Sequence, residues 1–211
     1  MIGDKLPAPS YWPRAKRALA RTDAVMKDII AAHPRVRLRS RGDAFQTLAR
    51  SIVGQQISVK AADSVWARVV EAAPTLRPEA FLVLRKPRLL RAGLSRQKAD
   101  YVRDLARHIV EGTLHVGRWP AMDDEAIIEE LTAVRGIGRW TAEMFLIFNL
   151  MRPDVFPVDD LGLRRAVALH YRDGEPIGAR ELREFGAAWA PWRSVATWYL
   201  WRSLDPVPVE Y

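Results

Sequence analysis

Apolar residues recur at helical spacing along nearly the whole chain. The run from Ala15 to Ile30 keeps this spacing, and Phe45, Leu48, Ile52 and Val53 fall on one face of the segment that follows Asp43. Spacings of three and four residues place side chains on one side of an α-helix. No stretch of the sequence alternates cleanly between apolar and polar residues, as a half-buried strand would. The sequence therefore predicts an all-α fold of about ten helices.

The length and the charge of the chain limit what it can be. It has 211 residues, a formal net charge of +8 and 49% hydrophobic residues. This length allows one domain, or one unit made of two lobes, with a core that needs no covalent cross-links. An excess of positive charge suits a polyanion such as DNA, RNA or an acidic membrane surface. The charge alone does not choose among these partners.

Several classes of protein are excluded by what the sequence lacks. There is no cysteine, which rules out disulfides, thiol nucleophiles and cysteine-ligated metal centres. The four histidines are scattered and predict no metal site. The N-terminal segment has no signal-peptide core, and no apolar run is long enough to span a bilayer. We therefore expect a cytoplasmic protein.

A pair of glycines lies between two helical segments. Gly136 and Gly138 flank Ile137. Glycines permit backbone angles that other residues resist, and they let another backbone approach closely. The helix expected to begin near Arg139 would present free N–H groups, where an anion such as a DNA phosphate fits. Arg135 and Arg139 add positive charge, but taken alone the glycine pair favours a plain turn between helices.

Two consecutive acids stand between an apolar Phe-Pro-Val segment and a helical run. They are Asp159 and Asp160. Consecutive residues at the start of a helix point about 100° apart, so the two carboxylates cannot both face one pocket. One of them can cap the helix while the other projects into a cleft. Both can also be ordinary acids at a helix N-terminus, where the helix dipole favours negative charge.

Five blocks of the sequence resemble, in the same order, those of the helix-hairpin-helix DNA glycosylase superfamily, and most closely its 3-methyladenine DNA glycosylase II family. The blocks are SIVGQQISVKAA, GLSRQKADYVRDLA, VRGIGRWTAEMFLI, FPVDDLGLRRA and PWRSVATWYLW, between residues 51 and 201. The last three together are specific. The resemblance implies a single all-α unit over residues 1–211, with two helical lobes and an active-site cleft between them. Its helix-hairpin-helix motif would span about 123–150 and its catalytic segment about 154–166.

The resemblance also implies roles for individual residues. Asp160 matches the family's catalytic carboxylate, which leaves Asp159 as the expected helix cap or a supporting group. Trp140 and Trp201 match tryptophans that stack on the flipped base, and Gln56 matches the side chain that fills the gap in the duplex. The remaining matches are Gln55, Met144 and Leu161 in the base pocket, Arg135, Gly136, Ile137, Gly138, Arg139 and Thr141 at the DNA, and the backbone carbonyls of Val134 and Gly136 around a structural Na⁺ or K⁺.

The chain has eight tryptophans, which is many for its length. A tryptophan usually fills a core, but it also stacks on nucleobases. Core packing is the expectation for Trp66, Trp189 and Trp192, and both interpretations stay open for Trp198.

The activity implied by the resemblance is that of a monofunctional DNA N-glycosylase. Such an enzyme excises alkylated purines, for example 3-methyladenine and 7-methylguanine, and leaves an abasic site. Breaking the bond between the base and C1′ builds positive charge on the sugar, which a nearby carboxylate stabilises. Relatives that also cleave the strand carry a lysine just after the hairpin, where this chain has Trp140. No organic cofactor is implied, and the expected partner is double-stranded DNA, bound by a monomer in the nucleoid.

Two other functions fit parts of the sequence. A non-catalytic DNA-binding module would use the hairpin and would be indifferent to Asp160. The other alternative is a glycosylase for another base lesion. If it were a glycosylase–lyase for oxidised bases, it would need the missing lysine. The FPVDD segment and the pair of Trp140 and Trp201 favour the N-glycosylase.

Overall fold

The computed structural model describes residues 9–34, 38 and 40–204, and within them it contains helices and no strand. The predicted all-α fold is confirmed, with twelve α-helices in this part of the chain. They are α1 (Trp12–Thr22), α2 (Ala24–Ala32), α3 (Ala44–Gly54), α4 (Val59–Ala72), α5 (Pro78–Val83), α6 (Lys86–Arg91), α7 (Arg96–Val110), α8 (Asp124–Thr132), α9 (Arg139–Phe148), α10 (Leu161–Tyr171), α11 (Ala179–Phe185) and α12 (Arg193–Leu204), with short 3₁₀ turns at Trp119–Ala121 and Gly186–Trp189.

The chain divides into two compact units. The first, called here the terminal unit, contains the described residues up to Ser40 and those from Leu146 to Leu204, and the second, the central unit, contains Arg41–Phe145. The boundary falls inside α9. The single glycosylase unit expected over residues 1–211 stays a prediction. None of the helices in the described ranges has the length and the apolar character that a bilayer crossing requires.

The central unit is built around α3 and α7. Helix α3 packs on α4 and α7, and α5 and α6 also pack on α7. The apolar face expected on α3 is confirmed, because Phe45, Leu48, Ile52 and Val53 are all buried. The ring of Phe45 meets Phe81 of α5 edge to face, with 5.1 Å between centroids. This core supports the segment from α8 to α9 that contains the glycine pair.

The terminal unit is built around α12. This helix packs on α1, α2 and α10, and it is buried on every side from Ser194 to Leu200. A helix that is covered all round needs no polar face, which explains its aromatic-rich sequence. Trp189 and Trp198 lie in the core, at 2% and 3% exposure. Core packing was the wrong expectation for Trp66 and Trp192, which are half-buried.

The periodic run from Ala15 to Ile30 is not one helix, because it is divided at Asp23. This residue has an extended backbone, and its Oδ1 accepts the N–H of Met26 at 2.8 Å, so that it caps α2. Its Oδ2 accepts the hydroxyl of Tyr171 at 2.8 Å and the indole N–H of Trp189 at 2.9 Å. Asp23 therefore separates the two helices, and its carboxylate caps α2 and ties it to α10 and the turn after α11.

We expect Asp23→Ala to lower the free energy of unfolding by about 2–4 kcal/mol, because α2 loses its cap and two largely buried donors lose their acceptor. Urea denaturation followed by circular dichroism measures the change. Asp28→Ala, at an exposed acid of the same helix, is the matched control, with an expected change below about 0.5 kcal/mol. Equal losses in the two variants would contradict the assignment.

Candidate functional site

Asp160 stands at the N-terminus of α10 and is only 7% exposed. Its Oδ1 accepts the backbone N–H of Leu163 at 2.6 Å, which makes it the N-cap of the helix. The same oxygen accepts the indole N–H of Trp201 at 2.8 Å. Two donors from different helices therefore fix the orientation of one buried carboxylate within the terminal unit.

Asp159 has a different environment. Its side chain is 68% exposed and pairs with the guanidinium of Arg164 at 2.8 Å. The expectation that Asp159 caps the helix is wrong, because Asp160 makes the capping contact. The two acids do face different environments, as helix geometry predicts, but the capping acid is also the buried one, which the sequence did not predict.

Gly162 makes room for the contact between Asp160 and Trp201. A Cβ at this position would lie 3.1 Å from Oδ1 of Asp160 and 3.2 Å from Cδ1 of Trp201. The ring of Trp201 stacks on Phe148, with 5.8 Å between centroids and 13° between planes. Neither Gly162 nor Phe148 was predicted from the sequence. The only signal for the glycine was its place in the first turn of a helix, where glycine is unfavourable without a packing reason.

The two glycines of the hairpin do different things. Gly136 has a φ of +87°, and a Cβ there would lie 2.1 Å from the ring of Tyr101. The folded hairpin therefore requires glycine at residue 136. A Cβ on Gly138 would meet no atom of the described structure within 4 Å. The backbone at residue 138 is thus open to a second molecule.

A buried carboxylate holds the first arginine of the hairpin. Asp104 of α7 accepts the backbone N–H of Arg135 at 3.1 Å and its guanidinium at 3.2 Å, and it also pairs with Arg107. Burial alone would raise the pKa of Asp104, but the hydrogen bonds and charge of Arg135, together with His108, hold this pKa below its usual value. The guanidinium of Arg135 nevertheless remains 60% exposed, so it can reach an anion.

Arg139 is held by two acids. Its guanidinium donates to Glu125 at 2.9 and 2.5 Å and to Glu143 at 3.1 Å. The positive charge expected from Arg139 is therefore offset locally.

The other predicted residues in this segment differ in burial. Ile137, Thr141 and Met144 are buried, and Trp140 is half-buried.

The loop between α3 and α4 is tied to the hairpin within the central unit. The side-chain amide of Gln55 donates to the carbonyl of Gly136 at 2.7 Å. The ammonium of Lys98 donates to the carbonyls of Val53 and Gln55 at 2.8 and 2.6 Å, which closes the C-terminus of α3, and burial lowers the pKa of this lysine. Gln56 is exposed and has a φ of +58°. The role of Lys98 was not predicted from the sequence, because its partners lie more than 40 residues away along the chain.

The two carbonyls expected to hold a monovalent cation already have partners. The carbonyl of Val134 accepts the N–H of Ile137 at 3.1 Å, and that of Gly136 accepts the Gln55 amide. A carbonyl oxygen has a second lone pair, so these contacts are compatible with a cation. Within the described ranges no group of three or more His, Asp or Glu side chains could hold a metal ion.

Comparison with known proteins identifies the fold and the hairpin. Residues 49–191 match the model of the HhH-GPD superfamily of base excision DNA repair proteins. A crystal structure of the DNA-3-methyladenine glycosidase from Bacillus halodurans superposes with a TM-score of 0.83, at 36% identity over 92% of this chain and 89% of that chain. The 3-methyladenine DNA glycosylase Mag1 of Schizosaccharomyces pombe, in complex with abasic DNA, gives a TM-score of 0.81, at 27% identity over 94% and 98% of the two chains.

A curated relative is similar over a smaller share of its length. The Bacillus subtilis protein YfjP is 32% identical over 76% of this chain, and the match spans 59% of YfjP itself. The matched family model covers the central unit from α3 onward, the hairpin and the segment that contains Asp160. This chain therefore belongs to the HhH-GPD superfamily of base excision DNA repair proteins.

We expect the two hairpin glycines to respond differently to alanine. Gly136→Ala should lower the free energy of unfolding by about 2–4 kcal/mol, because the methyl group collides with Tyr101 and the positive φ is strained. Gly138→Ala should cost less than about 1 kcal/mol, since its methyl group points into open space. Denaturant unfolding of both variants measures the difference. A larger loss in Gly138→Ala would overturn this account of the turn.

The stability of the hairpin is expected to depend on pH through Asp104. Because its pKa is lower in the folded protein than the ordinary 3.8, the contribution is complete above that value and is lost as the pH falls through the folded pKa. Asp104→Asn should be about 1–3 kcal/mol less stable at pH 7. The difference from wild type should shrink as the pH falls below 3.8. Urea titrations between pH 2 and 7 test this, and a constant difference would contradict it.

Proposed function

We propose that this protein is a monofunctional DNA N-glycosylase that flips alkylated purines out of duplex DNA, excises them and leaves an abasic site. The observation that carries the proposal is the buried carboxylate of Asp160, oriented by the Leu163 N–H and the Trp201 indole. Membership of a base excision repair superfamily and the names of two structural relatives support it.

Asp160 supplies what the reaction needs most. The bond between the base and C1′ breaks through a transition state with positive charge on the deoxyribose. A preoriented carboxylate in a buried position stabilises this charge without rearrangement, and it can also orient the attacking water. An N-alkylated purine that carries a positive charge is already a good leaving group, so its departure requires little acid catalysis.

The base pocket is proposed to use aromatic and apolar side chains. A cationic purine is attracted to an aromatic face by about 0.5–2 kcal/mol. In the terminal unit Trp201 adjoins Asp160. Leu161, the first residue of α10, is 78% exposed. We propose that both line such a pocket. The pocket roles of Trp140, Gln55 and Met144, which belong to the central unit, stay predictions.

The hairpin is proposed to grip one DNA strand mainly through its backbone. The open position at Gly138 and the start of α9 favour close approach of a phosphate to main-chain N–H groups. Arg135 adds an exposed guanidinium. The exposed Gln56, at the tip of a loop anchored by Gln55 and Lys98, is suited to fill the gap that a flipped base leaves. The cation at the Val134 and Gly136 carbonyls is part of this proposal.

A glycosylase–lyase is less well supported. The family position for the Schiff-base lysine is Trp140 here, and the ammonium group of Lys98, the last lysine of the chain, is engaged by two carbonyls.

We propose that the enzyme acts as a monomer on double-stranded DNA. We propose further that it acts in the cytoplasm, associated with the nucleoid.

We expect Asp160→Asn to reduce release of 3-methyladenine and 7-methylguanine from methylated duplex DNA by about 100-fold or more, because the amide carries no negative charge. The substitution keeps an oxygen that can accept both hydrogen bonds, so the fold should be retained. Chromatography of the released bases measures the rate. Asp159→Asn is the matched control, and its activity should stay within about threefold of wild type.

Each other outcome has a definite meaning. Activity that survives in Asp160→Asn but not in Asp159→Asn would overturn the assignment of the carboxylate. Wild-type protein that binds DNA and releases no alkylated base would overturn the alkylpurine activity and favour the non-catalytic DNA-binding module or a glycosylase for another base lesion. Strand cleavage trapped by borohydride would favour the glycosylase–lyase.

A further inference from the structure

An open cavity of about 630 Å³ lies in the terminal unit, away from Asp160. Three arginines of α1 line it, together with a short apolar floor. The lining residues are Arg14, Arg17, Ala18, Arg21, Pro191 and Trp192. No role assigned above to the hairpin or to Asp160 uses any of these residues.

The three arginines form a straight basic row. With 100° between successive residues, Arg14, Arg17 and Arg21 fall within about 60° of one another around the axis of α1, and the row is about 10 Å long. Helix α1 contains no acid. No carboxylate in the described ranges pairs with any of the three, whereas Arg135, Arg139 and Arg164 each pair with at least one. The nearest acid along the chain, Asp23, is turned toward Tyr171 and Trp189.

Aromatic contacts preorganise one end of the row. The guanidinium of Arg14 lies 5.8 Å from the ring centroid of Trp192, and that ring stacks on Tyr11 with 5.9 Å between centroids. The hydroxyl of Tyr11 donates to the carbonyl of Met151 at 2.7 Å, which anchors the stack to the unit. Trp192 was expected to fill the core, yet it is half-buried at the cavity. An arginine held this way loses less entropy when it binds an anion.

We propose that this arginine row is a second contact for the DNA backbone, which binds about three consecutive phosphates of one strand. The ligand is inferred from the spacing. Each strand of duplex DNA carries a charge about every 3.4 Å along the axis, so a row about 10 Å long covers about three such steps, enough for one phosphate per arginine. Guanidinium groups suit phosphates because they donate paired hydrogen bonds. This inference rests on the proposed action on DNA and extends its footprint.

The position of the row relative to Asp160 supports the same ligand. Both lie in the terminal unit, linked by α12, which begins next to Trp192 and contains Trp201. The rise from Arg193 to Trp201 is about 12 Å along the helix axis. This distance corresponds to about three or four phosphates along one strand. A strand that places a nucleotide at Asp160 would then need to extend by only about that many phosphates along α12 to reach the arginines.

The test compares the triple variant R14Q/R17Q/R21Q with R85Q/R88Q/R91Q. The control removes the same charge from three exposed arginines at the α6 segment, which line no part of the cavity. Fluorescence anisotropy with an undamaged 20-base-pair duplex gives Kd between 50 and 200 mM salt. Losing three phosphate contacts should reduce the slope of log Kd against log salt by about 2.7, with about a 40-fold smaller change in Kd over this range. Ethylation interference should show three or four phosphates losing their effect in the first variant only.

Every outcome bears on the proposal. Equal changes in the two triple variants would reduce the effect to net charge and overturn it. Unchanged DNA binding in R14Q/R17Q/R21Q would also overturn it. If the same variant lost binding of a polyglutamate peptide, an acidic protein partner would be favoured instead. Thermal melting shows whether both variants are folded. A wild-type protein that releases no base but shows the reduced slope on substitution would refute the proposed catalysis and leave this contact standing.

Discussion

A fold made of many short helices leaves unpaired N–H groups wherever a helix begins. Here short polar side chains accept one of these N–H groups at the N-caps of α2, α3, α4, α7 and α10, namely Asp23, Asp43, Ser58, Ser95 and Asp160. Of these five, Asp160 is the buried one, and an indole N–H from α12 shares its oxygen. The need to cap α10 thus produces an oriented, buried carboxylate, and the proposed chemistry uses a group that the fold has already positioned.

The features that could be predicted from sequence are local ones. Helical periodicity predicted the class of fold and the buried face of α3, and the glycine pair predicted the turn before α9. The contacts that were missed join distant parts of the chain: Trp201 is 41 residues from Asp160, and Gln55 is 81 residues from Gly136. Neither periodicity nor spacing contains information about such pairs. The break at Asp23 was missed for a related reason, because the apolar spacing continues through a cap that only the backbone angles reveal.

The hairpin shows that a sequence motif does not say why each of its residues is needed. The pattern treats Gly136 and Gly138 alike, whereas the fold needs the first for its positive φ and for the ring of Tyr101. Packing explains nothing about the second, since the space beside it is open. A glycine whose absence of a side chain has no use within the fold is better explained by the approach of another molecule. The two glycines can be told apart only when the atoms around each of them are known.

The positive charge of the protein is not spread evenly in its effect on a ligand. A net charge of +8 predicts attraction to a polyanion, but it does not say where the attraction acts. At the hairpin Arg139 is balanced by Glu125 and Glu143, so that the local contribution comes largely from backbone N–H groups, which act only at short range. An electrostatic force that reaches beyond contact therefore depends on arginines without acidic neighbours. In the described part of the terminal unit, the row on α1 meets this condition, with its first guanidinium held in place over Trp192.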